Sequence, residues 1–409
     1  MRVLISCGEP SGDLYAGALA AELRARNPAI EIAGFGGPHL RAAGATLLGD
    51  FTGLTVTGLT EALRVLPRSY AMYRRLVRWA QEHRPDVFVP IDFPDFNFRV
   101  MAAMRRRGIP VVYYVSPQLW AWRPRRMETM RRAVDRVLVI FPFEAPLYER
   151  AGLDVRFVGH PLVELARPRQ ARPEFLRGLG LNPDAPTVAL LPGSRPSELR
   201  HIAPGMAAAL PIICARVPDV QFVVAAAPGV DDTLLAPLVG RALSGSPGGP
   251  EAPHRAGVRG GDPAGEARPT IVMVRDRADD VLAAADVVVT ASGTATVQAA
   301  LHERPMVVVY RLSSVTYALG KPFVRVSMYA MPNLVAGTPI VPELIQEGFT
   351  PERVASEVVD LLTNADRSAR MRESLRQVRE RLGGPGASGR AADAVLDVAG
   401  RRSHGASPA

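Results

Sequence analysis

Short apolar runs alternate along the chain with segments in which apolar residues recur every three or four positions. The runs at 2–7, 87–91 and 187–191 contain β-branched side chains and predict buried strands. A segment with a helical pattern follows each of them. Strand–helix units repeated in this order predict an α/β fold built on parallel, doubly wound sheets.

The alternation forms two series, which predict two Rossmann-like domains. Residues 1–165 carry the first series, and residues 166–382 carry the second, which begins with a linker rich in Pro and Arg. Residues 244–269 are rich in Gly and Pro and have no periodicity, so we expect a flexible insertion there. Residues 383–409 are expected to form a C-terminal helix that packs back on the first domain and ends in a disordered tail.

The stretch 54–79 is apolar and carries several Arg but little acid. Its large apolar residues fall at helical spacing, which leaves two interpretations open. They can be the buried faces of two core helices, or they can form an exposed patch that binds a lipid surface. The residues assigned to the patch are Leu59, Leu63, Leu66, Tyr73 and Trp79.

Composition narrows the class of protein. With 47% hydrophobic and 22% charged residues, the chain is expected to be globular rather than disordered. Two distant cysteines, Cys7 and Cys214, predict no disulfide framework and no metal site, which fits a reducing cytoplasm. No targeting signal or membrane-spanning run is apparent. The net charge of +9 favours phosphates or anionic lipid, while nucleic-acid binding lacks any supporting motif.

Two carboxylates follow the strand predicted at 87–91. Asp92 and Asp95 would lie at the carboxyl edge of a parallel sheet, where open α/β sheets bind their ligands. Asp92 is nearer the strand end and is the candidate general base for an acceptor hydroxyl. We expect Asp95 to cap the following helix, although both acids could instead be caps or solvated. His160 and His201 are rival candidates for the base.

Two turns in the second series predict a phosphate site. Ser194 and Arg195 follow a strand and open a helix, and Ser292, Gly293 and Thr294 occupy the same place after a later strand. Backbone N–H groups, hydroxyls and a guanidinium at a helix N-terminus bind anions. The Walker lysine is missing, which disfavours a P-loop NTPase. A diphosphate on one domain and a carboxylate on the other predict transfer from a nucleotide sugar, with no metal or cofactor.

Several motifs occur in order from the first strand to about residue 344. They read GEPSGD (8–13), GGP (36–38), DFPDFN (92–97), YVSPQLWAW (114–122), GH (159–160), LLPGSR (190–195), ASGTA (291–295), YR (310–311) and PNLVAG (332–337). With them the chain resembles the lipid-A-disaccharide synthases, inverting glycosyltransferases of family 19. The resemblance implies GT-B architecture, in which two Rossmann-like domains face each other.

The resemblance also implies a reaction and its site residues. UDP-2,3-diacylglucosamine would give its sugar to the 6-hydroxyl of 2,3-diacylglucosamine 1-phosphate, forming the β-1,6 disaccharide and UDP. Asp92 would be the general base. The substrate-binding residues would be Glu9, Ser11, Ser194, Arg195, Ser292, Gly293, Thr294, Gln298 and Asn333.

The resemblance carries further expectations about location and partners. The enzyme would be peripheral on the cytoplasmic face of the inner membrane, and a homodimer with exchanged C-terminal segments is compatible with it. The chain departs from the family at Gln298, where a Glu is usual and is expected to hold the ribose, so we expect altered ribose contacts. The alternatives are another GT-B enzyme, such as a UDP-N-acetylglucosamine 2-epimerase, or a glycosyltransferase with a non-lipid acceptor.

Overall fold

The computed structural model describes residues 1–51, 59–117, 119, 126–240, 254–256, 269–312 and 328–405, and the chain divides into two compact units. Unit 1 comprises Met1–Glu164 and the C-terminal segment from Leu382. Unit 2 comprises most of the chain from Leu165 to Arg381. Each unit is an α/β structure on a sheet that is wholly or mainly parallel, which confirms the predicted fold class.

Seven parallel strands form the sheet of unit 1: β1 (Arg2–Cys7), β2 (Glu31–Gly36), β3 (Thr46–Asp50), β4 (Val87–Ile91), β5 (Val112–Tyr114), β6 (Arg136–Val139) and β7 (Val155–Phe157). Their order is β3-β2-β1-β4-β5-β6-β7. The strand order reverses between β1 and β4, and the crevice at such a switch point is the usual ligand site of open sheets. Every residue of β4 is buried, as expected for a central parallel strand.

The helices described in unit 1 are α1 (Pro10–Arg26), α2 (Pro38–Ala42), α3 (Leu59–His83), α4 (Pro94–Arg105), α5 (Arg126–Ala133), α6 (Ala145–Arg150), α7 (Leu162–Leu165, which ends at the unit boundary) and α16 (Ala387–Gly405). The C-terminal helix α16 packs on α1 and against β4 and β5. The buried Arg136 side chain connects α16 to the sheet. It forms ion pairs with Asp154, next to β7, at 2.7 Å and with Asp397 on α16 at 2.6 Å. The last helix of the chain is therefore part of the layer that supports the central strands of unit 1.

Seven strands form the sheet of unit 2: β8 (Thr187–Leu191), β9 (Gln221–Ala226), β10 (His254–Ala256), β11 (Thr270–Arg275), β12 (Val287–Ala291), β13 (Met306–Tyr310) and β14 (Glu343–Ile345). Their order is β10-β11-β9-β8-β12-β13-β14, and only the edge strand β10 pairs antiparallel. The switch point lies between β8 and β12.

The helices described in unit 2 are α8 (Arg172–Gly178), α9 (Pro196–Arg216), α10 (Asp232–Val239), α11 (Ala278–Ala284), α12 (Thr294–Leu301), α13 (Met331–Ala336), α14 (Pro351–Thr363) and α15 (Ala365–Arg381), with a 3₁₀ turn at Gln346–Gly348. Helices α9 and α12 begin directly after the strand-end loops of β8 and β12. Their N-termini therefore lie at the carboxyl edge of the sheet.

The structure differs from the sequence-based expectation in several elements. β3 and β14 were not predicted, because the first is a partly exposed edge strand and the second is only three residues long. Residues 59–83 form one helix that continues through Pro67, rather than two helices. The predicted insertion contains β10, and the rest of 244–268 lies outside the described residues. The C-terminal helix extends to Gly405, and the last residues of the predicted tail, 406–409, lie outside the described residues.

Candidate active site

The loop after β4 has an unusual backbone. Asp92 and Phe93 are consecutive non-glycine residues with φ of 45° and 49°, in the left-handed region. Val115, which follows the neighbouring strand β5, has φ of 57°. Such residues cost about 1–3 kcal/mol each and cluster at functional sites. The edge of unit 1 at β4 and β5 therefore carries concentrated backbone strain.

Hydrogen bonds from two elements hold the Asp92 backbone in this conformation. Its carbonyl oxygen accepts from Asn97 Nδ2 at 2.7 Å and from Tyr113 Oη at 2.8 Å. Its N–H donates to the Tyr114 carbonyl at 3.2 Å, which extends the pairing of β4 with β5. The Asp92 side chain is partly exposed, as a residue that receives a proton from a substrate must be.

Asn97 is itself fixed by the first strand. Its side chain is fully buried, and its Oδ1 accepts from Ser6 Oγ at 2.7 Å while its Nδ2 reaches the Ser6 carbonyl at 3.3 Å. The sequence alone predicted no role for Asn97, Ser6 or Tyr113, although Asn97 belongs to one of the motifs. Asn97 could have been identified from the sequence, because it lies in the DFPDFN motif. Its contact with Ser6 could not, because the two residues are 91 positions apart in the chain.

The loop after β1 makes room for the loop after β4. A Cβ on Gly8 would lie 2.2 Å from the Phe93 ring, so only glycine allows the ring to occupy its place. Glu9 and Ser11 follow at the start of α1 and are partly exposed. Asp13 is buried, and its carboxylate accepts from the backbone N–H groups of Gly37, His39 and Leu40 at 2.7–3.2 Å. The GEPSGD and GGP motifs therefore fix each other through Asp13.

Asp95 does not have the predicted role. The N-cap of α4 is Phe93, because Pro94 occupies the first helical turn, and no side chain caps the helix. Asp95 lies in that first turn with its side chain 67% exposed and pairs with Arg126 at 2.5 Å. A negative side chain in a first turn still interacts favourably with the helix dipole. Asp92 and Asp95 thus have different environments: one is held at the strand end and the other is at the surface.

The two histidines considered as rivals of Asp92 differ in burial. His160 is buried beside Tyr15 and Phe141, and its Nδ1 accepts from the Leu162 N–H at 3.2 Å. Burial lowers the pKa of His160 from its ordinary 6.5 to about 3, so it is a weak base near neutral pH. The Nδ1 of His201 contacts the Ser197 carbonyl at 2.7 Å within α9. Burial and the Asp92 carboxylate together raise the pKa of Tyr15, which keeps its hydroxyl protonated.

Ser194 and Arg195 lie at the N-terminus of α9, directly after β8. Gly193 has φ of 114°, and a Cβ there would also lie 2.7 Å from a Glu198 carboxylate oxygen. Ser194 is exposed, and Arg195, the N-cap of α9, is 40% exposed and lies 3.6 Å from Glu198. The first N–H groups of an α-helix have no intrahelical partner, so this end can bind an anion.

The N-terminus of α12 lies in the same place after β12. Gly293 has φ of 144° and caps α12, with Thr294 exposed beside it. Ser292 Oγ donates to the Tyr329 carbonyl at 3.0 Å, so its hydroxyl hydrogen is used within the protein. β8 and β12 are adjacent strands. Their following loops therefore place two helix N-termini at the same edge of the sheet.

The side-chain amide of Asn333 makes its hydrogen bonds within the protein. It is fully buried, its Oδ1 accepts from Ile340 and Val341, and its Nδ2 donates to the Val341 carbonyl and to Glu343. Glu343 also accepts from the backbone N–H of Tyr329, whose carbonyl binds Ser292. Asn333 therefore reaches Ser292 only through this chain of hydrogen bonds.

Gln298 lies one helical turn into α12 and faces a polar side chain. Its Nε2 is 3.3 Å from Asp279 Oδ1, and the same oxygen is 2.9 Å from His302 Nε2. Asp279 is in the first turn of α11. The position at which the family resemblance leads us to expect a Glu therefore has a carboxylate next to it, on a neighbouring helix.

The predicted lipid patch lies on α3 and is partly corrected by the structure. Leu66 and Tyr70 are 48% and 62% exposed, whereas Tyr73 and Trp79 are partly buried and pack against the core. Trp79 stacks on His83 and does not belong to an exposed patch. The side chains of Leu59 and Leu63 lie outside the described part of the chain.

The exposed side of α3 carries an apolar and basic surface. Tyr70 and Tyr73 stack with ring centroids 6.2 Å apart and line a surface groove with Val77, Arg74 and Arg78. Over the described ranges, we find no helix of the length and apolar character needed to cross a bilayer. The same residues contain no group of three or more His, Cys, Asp or Glu arranged to hold a metal ion.

Comparison with known proteins identifies one family over most of the chain, in both units. A family model described as lipid-A-disaccharide synthetase matches residues 3–236 and 266–398. The chain is 41% identical over 397 residues to a lipid-A-disaccharide synthase of Myxococcus xanthus, with 97% of each chain covered. It is 42% identical over 400 residues to that of Anaeromyxobacter dehalogenans, again with 97% of each covered.

Solved structures match the fold at low sequence identity. The UDP-GlcNAc 2-epimerase from Neisseria meningitidis bound to UDP-GlcNAc superposes with a TM-score of 0.65 at 10% identity, covering 97% of this chain and 100% of the other. CalG4, the calicheamicin glycosyltransferase, gives a TM-score of 0.59 at 17% identity, with 98% of both chains covered. These likenesses show the fold alone, which is that of GT-B glycosyltransferases and epimerases.

Proposed function

The chain belongs to the lipid-A-disaccharide synthase family, and from that premise we propose which groups carry the transfer and which substrates they take. Membership makes the protein a glycosyltransferase that forms the lipid A disaccharide. The epimerase and the non-lipid glycosyltransferase are not favoured, because only the fold relates the chain to such enzymes. The finer assignments below rest on the geometry of the two sheet edges.

We propose that UDP-2,3-diacylglucosamine is the donor and 2,3-diacylglucosamine 1-phosphate the acceptor. The acceptor 6-hydroxyl oxygen forms a bond to the anomeric carbon of the donor while the bond from that carbon to UDP breaks. The leaving UDP takes the electron pair of the broken bond, and the hydroxyl proton passes to a base. The products are the β-1,6 disaccharide 1-phosphate and UDP.

Asp92 is the base in this proposal. The observation that carries the assignment is its place at the switch point of unit 1, on a strained backbone held from α4 and β5. A carboxylate positioned in this way can accept the proton as the new bond forms. Asp95 is exposed and ion-paired, and His160 is buried with its Nδ1 already accepting from the Leu162 N–H.

The donor diphosphate is assigned to unit 2. The N-termini of α9 and α12, with Ser194, Arg195, Gly293 and Thr294, offer backbone N–H groups, hydroxyls and a guanidinium. Such groups stabilise the charge that develops on a departing diphosphate. Gln298 with Asp279 is assigned to the nucleoside side. Asn333 and Ser292 are assigned to holding the loop, and Glu9 and Ser11 to the acceptor side.

The assay that tests this proposal uses purified protein with both diacylated sugars. We expect stoichiometric release of UDP and of the disaccharide 1-phosphate, measured by mass spectrometry. Two parallel reactions contain UDP-N-acetylglucosamine, alone or with unacylated glucosamine 1-phosphate. Epimerisation of UDP-N-acetylglucosamine would contradict the substrate assignment. So would transfer of its sugar to unacylated glucosamine 1-phosphate at a rate equal to that with the diacylated pair.

The peripheral membrane location is a further part of the proposal. The exposed Leu66 and Tyr70, with the neighbouring arginines of α3, form an apolar and basic surface of the kind that binds anionic lipid. Flotation with vesicles of anionic phospholipid should recover the parent protein and lose the variant with Leu66→Ser and Tyr70→Ser. The control is Phe157→Ser, an exposed aromatic on β7 at the opposite edge of the sheet from β3. Equal loss in both variants would contradict the assignment to α3. We also propose that the protein is a homodimer, as the family resemblance allows, and sedimentation of the parent protein should then give twice the mass of one chain.

A further inference from the structure

The backbone at Asp92 poses a physical question. Two consecutive non-glycine residues in the left-handed region are costly, and the chain would relax if nothing opposed it. A relaxed loop would turn the Asp92 side chain away from its present direction, because φ and ψ set where Cβ points. Whatever holds this backbone therefore also sets the position of the carboxylate.

The holding groups converge on one atom, the Asp92 carbonyl oxygen. Asn97 Nδ2 from α4 donates to it at 2.7 Å, and Tyr113 Oη from β5 donates at 2.8 Å. Both donors are fully buried, so water does not compete for these hydrogen bonds. An oxygen with two good donors has both its lone pairs used and cannot rotate without losing at least one bond.

A third element fixes the orientation of the Asn97 amide. Ser6 Oγ from β1 donates to Asn97 Oδ1 at 2.7 Å, which directs the Nδ2 group toward the Ser6 and Asp92 carbonyls. A flipped amide would place its oxygen against those two carbonyls and its nitrogen against the hydroxyl. The orientation is therefore defined by the hydrogen-bond network: α4 and β5 donate to the Asp92 carbonyl, and β1 fixes the donor from α4.

We propose that Asn97 and Tyr113 are positioning residues for the transfer reaction: they clamp the Asp92 carbonyl and thereby hold the carboxylate in line for the acceptor hydroxyl. This inference rests on the proposed role of Asp92 as the base. It assigns no contact with substrate to either residue. A general base displaced by about 1 Å loses up to about 100-fold in rate.

The main experiment compares two buried tyrosines of unit 1. Tyr113 and Tyr148 are both fully buried, and each donates a 2.8 Å hydrogen bond to a backbone carbonyl, of Asp92 and of Pro117 respectively. Tyr113→Phe and Tyr148→Phe remove one equivalent bond each and should lower the urea midpoint of unfolding by similar amounts. We expect Tyr113→Phe to lower kcat about tenfold with KM for both substrates unchanged, and Tyr148→Phe to keep kcat within about twofold.

A second variant removes the other donor. Asn97→Asp keeps the shape of the side chain but replaces the N–H donors by a carboxylate oxygen that faces two carbonyls. We expect a loss of kcat of about 100-fold, while UDP binding, which belongs to unit 2, stays within twofold. If Asn97→Asp fails to fold, UDP binding is lost as well, and Tyr113→Phe with its control then decides the question.

The outcomes separate this inference from the proposed function. If Asp92→Asn retains parental turnover, the role of Asp92 fails and the clamp has nothing to position. If Asp92→Asn is inactive but Tyr113→Phe and Tyr148→Phe have equal kcat, the clamp is overturned and Asp92 stands. A fall in kcat confined to Tyr113→Phe and Asn97→Asp, with unchanged KM, supports the clamp.

Discussion

The two units differ in the loop that follows the strand at the switch point of each sheet. In unit 1 the residues after the central strand β4 are Asp92 and Phe93, which hold positive φ angles although neither is glycine. In unit 2 the residue in the corresponding place after β12 is Gly293, with φ of 144°. Apart from its chain neighbours, no described residue has an atom within 4 Å of where its Cβ would be. Strain is held by side-chain hydrogen bonds in one unit and avoided by glycine in the other.

The roles that we propose for the two edges account for this difference. One carboxylate must stand in one place, and a backbone locked by Asn97 and Tyr113 provides this. A diphosphate needs close approach to backbone N–H groups, which small residues permit. We therefore expect substitutions in unit 1 to act on kcat and substitutions in unit 2 to act on donor binding.

The largest expected effect separates the two carboxylates of unit 1. Asp92→Asn removes the proposed proton acceptor and should lower kcat by about 10²–10⁴-fold. Asp95→Asn, the matched control, breaks an exposed ion pair worth at most about 1 kcal/mol and should keep most of the activity. Steady-state assays with both substrates, together with circular dichroism of each variant, make the comparison. Equal losses in the two variants would show that position at the strand end does not decide the role.

Substitutions at two glycines distinguish a steric clash from backbone strain. Gly8→Ala drives a methyl group into the Phe93 ring and should cost about 1–3 kcal/mol of stability and lower kcat. Gly293→Ala meets no atom of the residues that the structure describes but strains a backbone at φ of 144°, and should cost about 1–3 kcal/mol and weaken donor binding. Adding Phe93→Ala should restore part of the stability lost in Gly8→Ala and none of that lost in Gly293→Ala. Thermal unfolding of the four variants checks this, and equal rescue would contradict the steric explanation.

A smaller effect concerns acid stability. The pKa of His160 falls from 6.5 to about 3 on folding because the neutral ring is buried. Below pH 6.5 the unfolded chain binds a proton that the folded chain excludes, so this contribution to stability is complete above 6.5 and is lost as the pH falls toward 3. Near pH 5.5 the loss is about 1 kcal/mol.

The variant His160→Gln tests this origin of acid sensitivity. Its free energy of unfolding in urea should depend less on pH between 7 and 5.5 than that of the parent, even if it is less stable at pH 7. His201→Gln, which removes a partly exposed histidine of unit 2, serves as the control. An unchanged pH dependence in His160→Gln would show that other groups cause the acid sensitivity.

The sequence predicted the parallel sheets because their central strands are short, almost wholly apolar runs such as Val87–Ile91 and Thr187–Leu191. It missed β3, whose residues are only partly buried at a sheet edge and so lack that pattern. It also split α3 into two helices, although the packing of Leu76 and Ala80 in the core accompanies one continuous helix through Pro67.

The candidate site was predictable in its residue types but not in its geometry. The motif DFPDFN gave Asp92, and the two strand–helix turns gave Ser194, Arg195 and Gly293. The clamp on Asp92 could not be predicted, because it joins Ser6, Asn97 and Tyr113 from three elements and depends on φ angles that no local pattern specifies. The cap predicted at Asp95 was wrong because Pro94 already begins the helix.

We propose that proton acceptance belongs to unit 1 and diphosphate binding to unit 2. Calorimetric titration of UDP into the parent protein, Asp92→Asn and Arg195→Ala tests it most directly. We predict that Asp92→Asn binds UDP within about twofold of the parent, while Arg195→Ala loses about 10–100-fold, as expected for charge-assisted hydrogen bonds. An Arg195→Ala variant that binds UDP as the parent does, or an Asp92→Asn variant that loses as much affinity as Arg195→Ala, would contradict the claim.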